Sequence, residues 1–261
     1  MNTLKVFSFV LSSDFASFRK FDTTGKKYLT YFFPPRPTIL GLLGALVGND
    51  KSEKGKLPWY EQLKGTKIAI KPLNFNTKRH FLSYNNSVGY AGQGSGKGEW
   101  GGANLIINEQ ILVAPKYQIF VELSEKTKDI ANAIKNMNGI FTPYMGKNEF
   151  RAQISDFKTH EVKEELTGTH KINSIWPFSN GFVGDSDDIL FQDVISDSNI
   201  ILENHPFCYN MQNLRYKTKV FAYNEKNLNL DKIMKKHADI EGKFISLDNG
   251  ESIYIYGETK K

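Results

Sequence analysis

Hydrophobic positions fall in short runs whose period changes along the chain. Lys5 to Leu11 holds Val6, Phe7, Phe9, Val10 and Leu11, a β-branched and aromatic run that predicts a buried strand. Ser12 to Tyr31 is polar with aromatic punctuation, and Pro34, Pro35 and Pro37 then stop regular structure. Thr38 is placed to cap a helix over Ile39–Val47, with Gly41, Gly44 and Ala45 on one side and Leu40, Leu43 and Val47 on another. A glycine inside a helix costs about 1 kcal/mol relative to alanine, so close packing against another backbone is expected at this pair. Alternation over Lys67–Leu73 predicts a strand, and Phe75–Tyr84 another. Further strands are expected at Leu105–Val113, Tyr117–Leu123 and Phe150–Ile154. Between the last two, Ser124 caps a helix whose apolar positions Ile130, Ala133, Ile134 and Met137 recur at helical spacing, with Gly139 as its stop.

The order up to residue 155 is therefore β-α-β-β-α-β, with an excursion between the first helix and the central strands. That is the order of a ferredoxin-like (RRM-like) fold. Residues 156–261 are strand-rich and less regular. Ile189–Val194, Asn199–Leu202 and Lys217–Tyr223 are candidates, and Phe244–Leu247 and Ser252–Tyr256 form a hairpin through Asp248, Asn249 and Gly250. The expected class is α+β: a core over 1–155 and a strand-rich extension over 156–261 packed on it. No repeat and no linker interrupts the chain.

At 261 residues, with 40% apolar and 24% charged residues, wholesale disorder is excluded. The lone Cys208 cannot form an internal disulfide, which points to a reducing, cytoplasmic setting. The longest apolar run, Ile39–Val47, is far short of the ~20 residues a membrane span needs. No signal peptide is expected, because the N-terminus lacks a basic segment and soon meets Asp14. The net charge is +6, unevenly spread: residues 1–100 carry 15 Lys and Arg against 6 Asp and Glu, and residues 101–261 carry 19 against 22. A basic half can face a polyanion, or its charge can be scattered over a solvated surface.

Residues 89–102 contain seven of the 21 glycines. Ala91 to Gly98 imitates a phosphate-binding loop, but Gly98 stands where a Mg²⁺-binding hydroxyl is required. Gly98-Glu-Trp-Gly101-Gly102 would not open the helix that such a loop or a dinucleotide fingerprint needs. What remains is a loop between strands bearing Tyr90, Lys97 and Trp100: a mobile hairpin tip, or a finger whose backbone nears phosphates while its rings stack on bases. The five histidines are scattered without ligand spacing, and Asp185, Asp187 and Asp188 lack the glycine and glutamate of a calcium loop. No metal and no cofactor is expected. Lys116 to Val121 faintly echoes an RNA-recognition strand but lacks its glycine.

Asp14-Phe-Ala-Ser-Phe-Arg19-Lys20, followed by Tyr31-Phe-Phe-Pro-Pro-Arg-Pro-Thr38-Ile-Leu-Gly41-Leu-Leu-Gly44-Ala-Leu-Val-Gly48, resembles the CRISPR-associated family-five subunit of type I Cascade complexes. Thr142-Pro-Tyr144-Met-Gly146-Lys147 with Phe150-Arg151-Ala152 resembles that family's glycine turn before the last core strand. The general look is nearest the type I-B branch. The resemblance covers about 160 residues. It implies a repeat-associated mysterious protein (RAMP) core with a protruding β-hairpin thumb at about 74–113. It further implies an antiviral ribonucleoprotein subunit that holds the 5′ handle of a CRISPR RNA and caps one end of the backbone-subunit filament. Its partners would be that RNA, the backbone subunit, the large subunit and, through the complex, target DNA, with no membrane.

Charge, aromatic character and the resemblance converge on Arg19, Lys20, Lys26, Lys27, Lys78, Arg79, Tyr90, Lys97, Trp100, Lys147 and Arg151 as RNA-binding candidates. Cations would hold phosphates and rings would stack on unpaired bases. The expected protein is non-catalytic. The alternative is a metal-independent endoribonuclease that processes precursor CRISPR RNA, for which His80 and Lys78 are the candidates. In the type I-C branch the family cleaves RNA with Tyr, Lys and His, but the candidates here, Lys78 and His80, are not adjacent in the chain, and no catalytic Tyr is matched to them. A generic RNA-binding module would fit the charge but not the paired N-terminal motifs.

Overall fold

Alternation along β1 (Lys5–Ser12) sends Phe7, Phe9 and Leu11 to one face and Val6, Ser8 and Val10 to the other. The structure is a computed structural model that describes residues 4–23, 27–48, 58–74, 77–87, 104–178, 200–210, 212–213, 215–236 and 240–258. After β1 come β2 (Phe15–Ala16), β3 (Lys27–Tyr28), α1 (Arg36–Leu46), α2 (Pro58–Leu63) and β4 (Ile68–Pro72). A long hairpin of β5 (Lys78–Ser87) and β6 (Asn104–Val113) follows, then β7 (Lys116–Glu122), α3 (Lys128–Lys135) and β8 (Gln153–Glu165). The remainder comprises β9 (Thr169–Lys171), β10 (Trp176–Pro177), β11 (Ile201–Asn210), β12 (Arg215–Tyr223) and β13 (Asn227–Asn229). α4 (Leu230–Lys236) leads into the closing hairpin, β14 (Glu241–Leu247) and β15 (Ser252–Gly257).

Six strands close into a barrel in the order β1-β7-β4-β15-β14-β8, and every neighbouring pair is antiparallel. Within it, β8-β1-β7-β4 is linked by a helical crossover through α1 between β1 and β4, and another through α3 between β7 and β8. The hairpin expected near the C-terminus is present, and it seals the sheet by pairing β15 with β4 and β14 with β8. Residue 155 lies inside β8. One face of the barrel carries Phe7, Phe9, Ile119 and Tyr254 under α1 and α3, in the larger core. The other forms a smaller cluster of Val6, Ala69, Phe120, Ile245, Leu247, Ile253 and Ile255, against which Val162 packs. A second sheet, β10-β12-β11, lies beside α1.

Several boundaries differ from the sequence reading. α1 starts at Arg36, not after Thr38, with Pro35 as its cap residue and no side-chain cap bond. Pro37 is tolerated because first-turn amides have no partner within the helix. Gly41 and Gly44 face a side chain, not a backbone: a Cβ at Gly44 would stand 2.7 Å from the Cβ of Trp59. Arg36 is buried, its Nη1 donating to the Phe207 carbonyl at 3.3 Å and its Nη2 to the carbonyls of Thr66 (2.8 Å) and Lys64. It ties α1 to α2 and β11. α3 follows a turn in which the Thr127 hydroxyl accepts from the Ser124 amide at 2.9 Å, and it ends before Gly139, with Met137 at φ 53°. The strand expected at 150–154 is instead the longer β8, whose charged outward positions hide it from an apolar pattern. Of the segment expected at Asn199–Leu202, Ile201 and Leu202 open the longer β11, and Lys217–Tyr223 belongs to β12, whereas Asn199 and Ile189–Val194 lie outside the described residues. Tyr117 and Phe120 of the faint RNA-recognition echo are both buried in the core.

Candidate nucleic-acid interface

The β5–β6 hairpin pairs from Lys78 with Val113 out to Ser87 with Asn104. Its root is gripped by the segment after β1: β2 pairs antiparallel and β3 parallel with β6. This brings Lys27 and Tyr28 against the thumb-like hairpin and, through the bridge between Arg19 and Thr30, sets Arg19 and Lys20 beside them.

Two buried carboxylates organise those cations. Glu203 on β11 accepts from the Phe32 amide (2.7 Å) and Arg79 Nη2 (2.7 Å), lies 3.0 Å from His205 Nε2, and sits 3.5 Å from Lys20 Nζ. Burial pushes the Glu203 carboxyl up, but His205, Arg79 and the Phe32 amide pull harder and hold it below the usual carboxylate range. Arg79 also lies over the Phe32 ring, and Lys20 over the Tyr31 ring. The cluster thus sets two cations against one carboxylate at the hairpin root. Glu109 on β6 accepts from Ser17 Oγ (3.2 Å) and from Lys147 Nζ (2.7 Å). Burial opposes the Lys147 charge, yet Glu109 outweighs it and raises the ammonium's pKa.

Lys147 is placed by the turn before it. Gly146 has φ 91°, and a Cβ there would land on the Ser17 carbonyl oxygen. The Ser17 amide donates to the Met145 carbonyl at 3.1 Å, and the Met145 amide to that of Phe150 at 2.8 Å. The turn is thereby laced to the strand segment that carries Arg19. The Arg19 guanidinium stacks 3.5 Å over the Tyr28 ring. Lys27, Lys78, His80 and Arg151 are exposed, with Lys78 and His80 two residues apart on β5. Lys26, Tyr90, Lys97 and Trp100 lie outside the described residues. Of the described candidates, Lys20 and Arg79 meet at Glu203, Lys147 stands apart at Glu109, and the rest make no shared cluster.

Beside Arg19 lies a cleft of about 400 Å³ between α1, α2, the Gly146 turn and the β11–β12 pair. Its walls include Trp59, Tyr60, Tyr144, Tyr209 and Tyr216. Ring centroids run from Phe21 to Tyr216 (6.2 Å), Tyr216 to Tyr209 (5.0 Å), Tyr209 to Tyr60 (6.0 Å) and Tyr60 to Trp59 (5.7 Å). Sequence reasoning missed these rings, and Glu203 and Glu109 as well. The aromatic spacing of Tyr209 and Tyr216 across a short turn was the available signal; nothing local marks the two carboxylates.

Ser8, His160 and Asp248 form a hydrogen-bonded row across β1, β8 and the β14–β15 turn, at 2.8 and 3.3 Å. Ser8 is fully buried, and Gln118 Nε2 donates to its hydroxyl at 3.3 Å. A substrate carbonyl cannot reach that oxygen, so the row is an internal polar tie.

Among the described residues no helix is long and apolar enough to cross a membrane. No family model matches the chain. No curated protein matches it in sequence. Among solved structures, a chain of a CRISPR RNA-guided surveillance complex is 14% identical, with 85% of this chain and 90% of that one covered at a TM-score of 0.51. A CRISPR protein from Archaeoglobus fulgidus is 12% identical, with 98% and 100% covered at 0.50. The chain therefore shares a mixed α/β, strand-rich fold with CRISPR-associated proteins.

Proposed function

We propose that this chain is a non-catalytic RNA-binding subunit of a type I CRISPR surveillance complex, holding the 5′ handle of the guide and capping one end of the backbone filament. The observation that carries the reading is the hairpin root, where Lys20 and Arg79 outnumber Glu203 beside exposed Arg19, Lys27 and Lys78. A positive surplus at the base of a long hairpin suits a single-stranded polyanion lying along it. The order β8-β1-β7-β4 with crossovers α1 and α3 supports a ferredoxin-like RAMP core over 1–155, with its thumb at about 74–113 and the extension over 156–261. The fold shared with a surveillance-complex chain supports the same reading. In it the backbone and large subunits dock on surfaces away from the hairpin root, target DNA is met through the complex, and the setting is cytoplasmic.

The experiment is a binding titration of the full chain with its own repeat-derived RNA and a scrambled control, in EDTA, across a salt series. We expect preference for the repeat RNA, with affinity falling steeply as salt rises. Equal binding of both RNAs would defeat the handle-binding reading. A second reading, metal-independent cleavage, is favoured by the exposed Lys78 and His80 two residues apart on β5, which alternation sends to the same face. Repeat-specific cleavage in the same EDTA samples, abolished by His80→Ala, would establish it in place of the first.

A further inference from the structure

We propose that the cleft between α1, α2, the Gly146 turn and the β11–β12 pair is a pocket for one unpaired nucleobase of a single-stranded RNA. The inference rests on the RNA-binding reading and adds a site that the cation pattern did not contain.

The lining comes from five separate stretches of chain, and four of them bring rings, Phe18 beside Arg19 among them. Trp59 and Tyr60 arrive on α2, Tyr144 on the Gly146 turn, and Tyr209 and Tyr216 on β11 and β12. Convergence of rings from distant segments is the arrangement that receives a flat, π-faced ligand. The rings at the opening are not spent on the core: Tyr144 is 47% exposed and Tyr216 44%, and Phe21, 50% exposed, touches Tyr216 from outside. Deeper in, the floor is fixed. Tyr60 donates from its hydroxyl to Glu258 at 3.0 Å and accepts the Tyr209 amide at 2.6 Å, so two walls are clamped to each other. Trp59 is seated on the Gly41–Gly44 stripe of α1. Thr38 and Thr142 place hydroxyls, each able to donate and accept, where they can meet a base edge. Arg19 lines the same cleft with its guanidinium over the Tyr28 ring, a cation for the adjoining phosphate. An apolar peptide side chain would gain little from this hydroxyl-bearing wall, whereas a base uses rings, hydroxyls and cation together.

The test uses the full chain and a labelled single-stranded RNA of its own repeat, plus a set of the same RNA in which one abasic nucleotide is walked along the sequence. If a base enters the cleft, one abasic position weakens wild-type binding by roughly 5- to 140-fold, the span expected for loss of one stacked base. Tyr144→Ala and Tyr216→Ala should each weaken binding of intact RNA and lose nothing further at that one position. Tyr144→Phe and Tyr216→Phe should bind like wild type, since a ring remains. Thermal melts of all four variants should stay near wild type, because both rings are half-exposed. If intact RNA binds but the abasic and tyrosine effects multiply at every position, the cleft proposal is overturned and the RNA-binding reading survives. If wild type binds no RNA at all, both are overturned.

Discussion

Glu203→Gln isolates the most consequential polar contact in the molecule. The substitution keeps the shape of the side chain and an oxygen for the Phe32 amide, but removes the charge that faces Arg79, Lys20 and His205. Breaking one partner of a fully buried ion pair costs about 3–5 kcal/mol. The Arg79 and Lys20 side chains are 35% and 25% exposed, so water recovers part of that loss. The expected destabilisation is therefore roughly 2–3 kcal/mol, a fall of about 4–6 °C in melting temperature for a chain of this size. Calorimetry at neutral pH, with the exposed Glu225→Gln as control, measures it. The pH dependence carries the sharper check. Glu203 titrates below its unfolded value, so its stabilisation is complete above the usual carboxylate range and is lost as pH falls through its own lower pKa. The gap between wild type and Glu203→Gln should therefore close in acid. A gap that stays constant between neutral and strongly acidic pH, or is absent throughout, would refute the electrostatic account.

Three glycine substitutions test the scaffold around the site. Gly146→Ala forces a Cβ onto the Ser17 carbonyl at φ 91° and should cost on the order of 3 kcal/mol, visible as a lower melting temperature and as loss of repeat-RNA preference. Gly44→Ala presses on Trp59 at its Cβ, whereas Gly41→Ala meets only the ring end at 3.3 Å. Tryptophan emission should shift for Gly44→Ala, and Gly41→Ala should leave it unchanged while gaining up to about 1 kcal/mol of helix propensity.

The barrel strands were legible because their apolar runs stand out against the polar segments around them: β1, β4, β7 and the closing hairpin all stand where alternation or β-branched runs placed them. β8 escaped because its inward residues, such as Phe157 and His160, are outnumbered by charged outward ones. The cap of α1 was misplaced because Pro35 and Arg36 read as a break, when proline suits a first turn and Arg36 is a buried strut. The candidate cations were visible as charge in the first hundred residues. Their partners were not, since Glu203 lies more than a hundred residues downstream of Lys20 and Arg79, and only the packing of β11 against the hairpin root brings them together.

That long-range pairing changes what the basic half of the chain means. An isolated cluster of cations at a hairpin root would repel itself and splay before any RNA arrived. Glu203 removes that repulsion by fixing Arg79 and Lys20 in one place, and its own charge cancels only one of the two. Under the proposed function the root is thus rigid in the free protein yet still positive, which is the condition for binding a polyanion without first ordering the cations that hold it. Glu109 does the same for Lys147, and Gly146 sets that lysine beside the strand that carries Arg19. Lys20, Arg79 and Lys147 therefore belong to the fold as much as to the interface, and their removal acts on both. Under the same proposal Lys27 and Lys78, exposed on their strands, are the residues whose replacement should alter RNA binding without touching the scaffold.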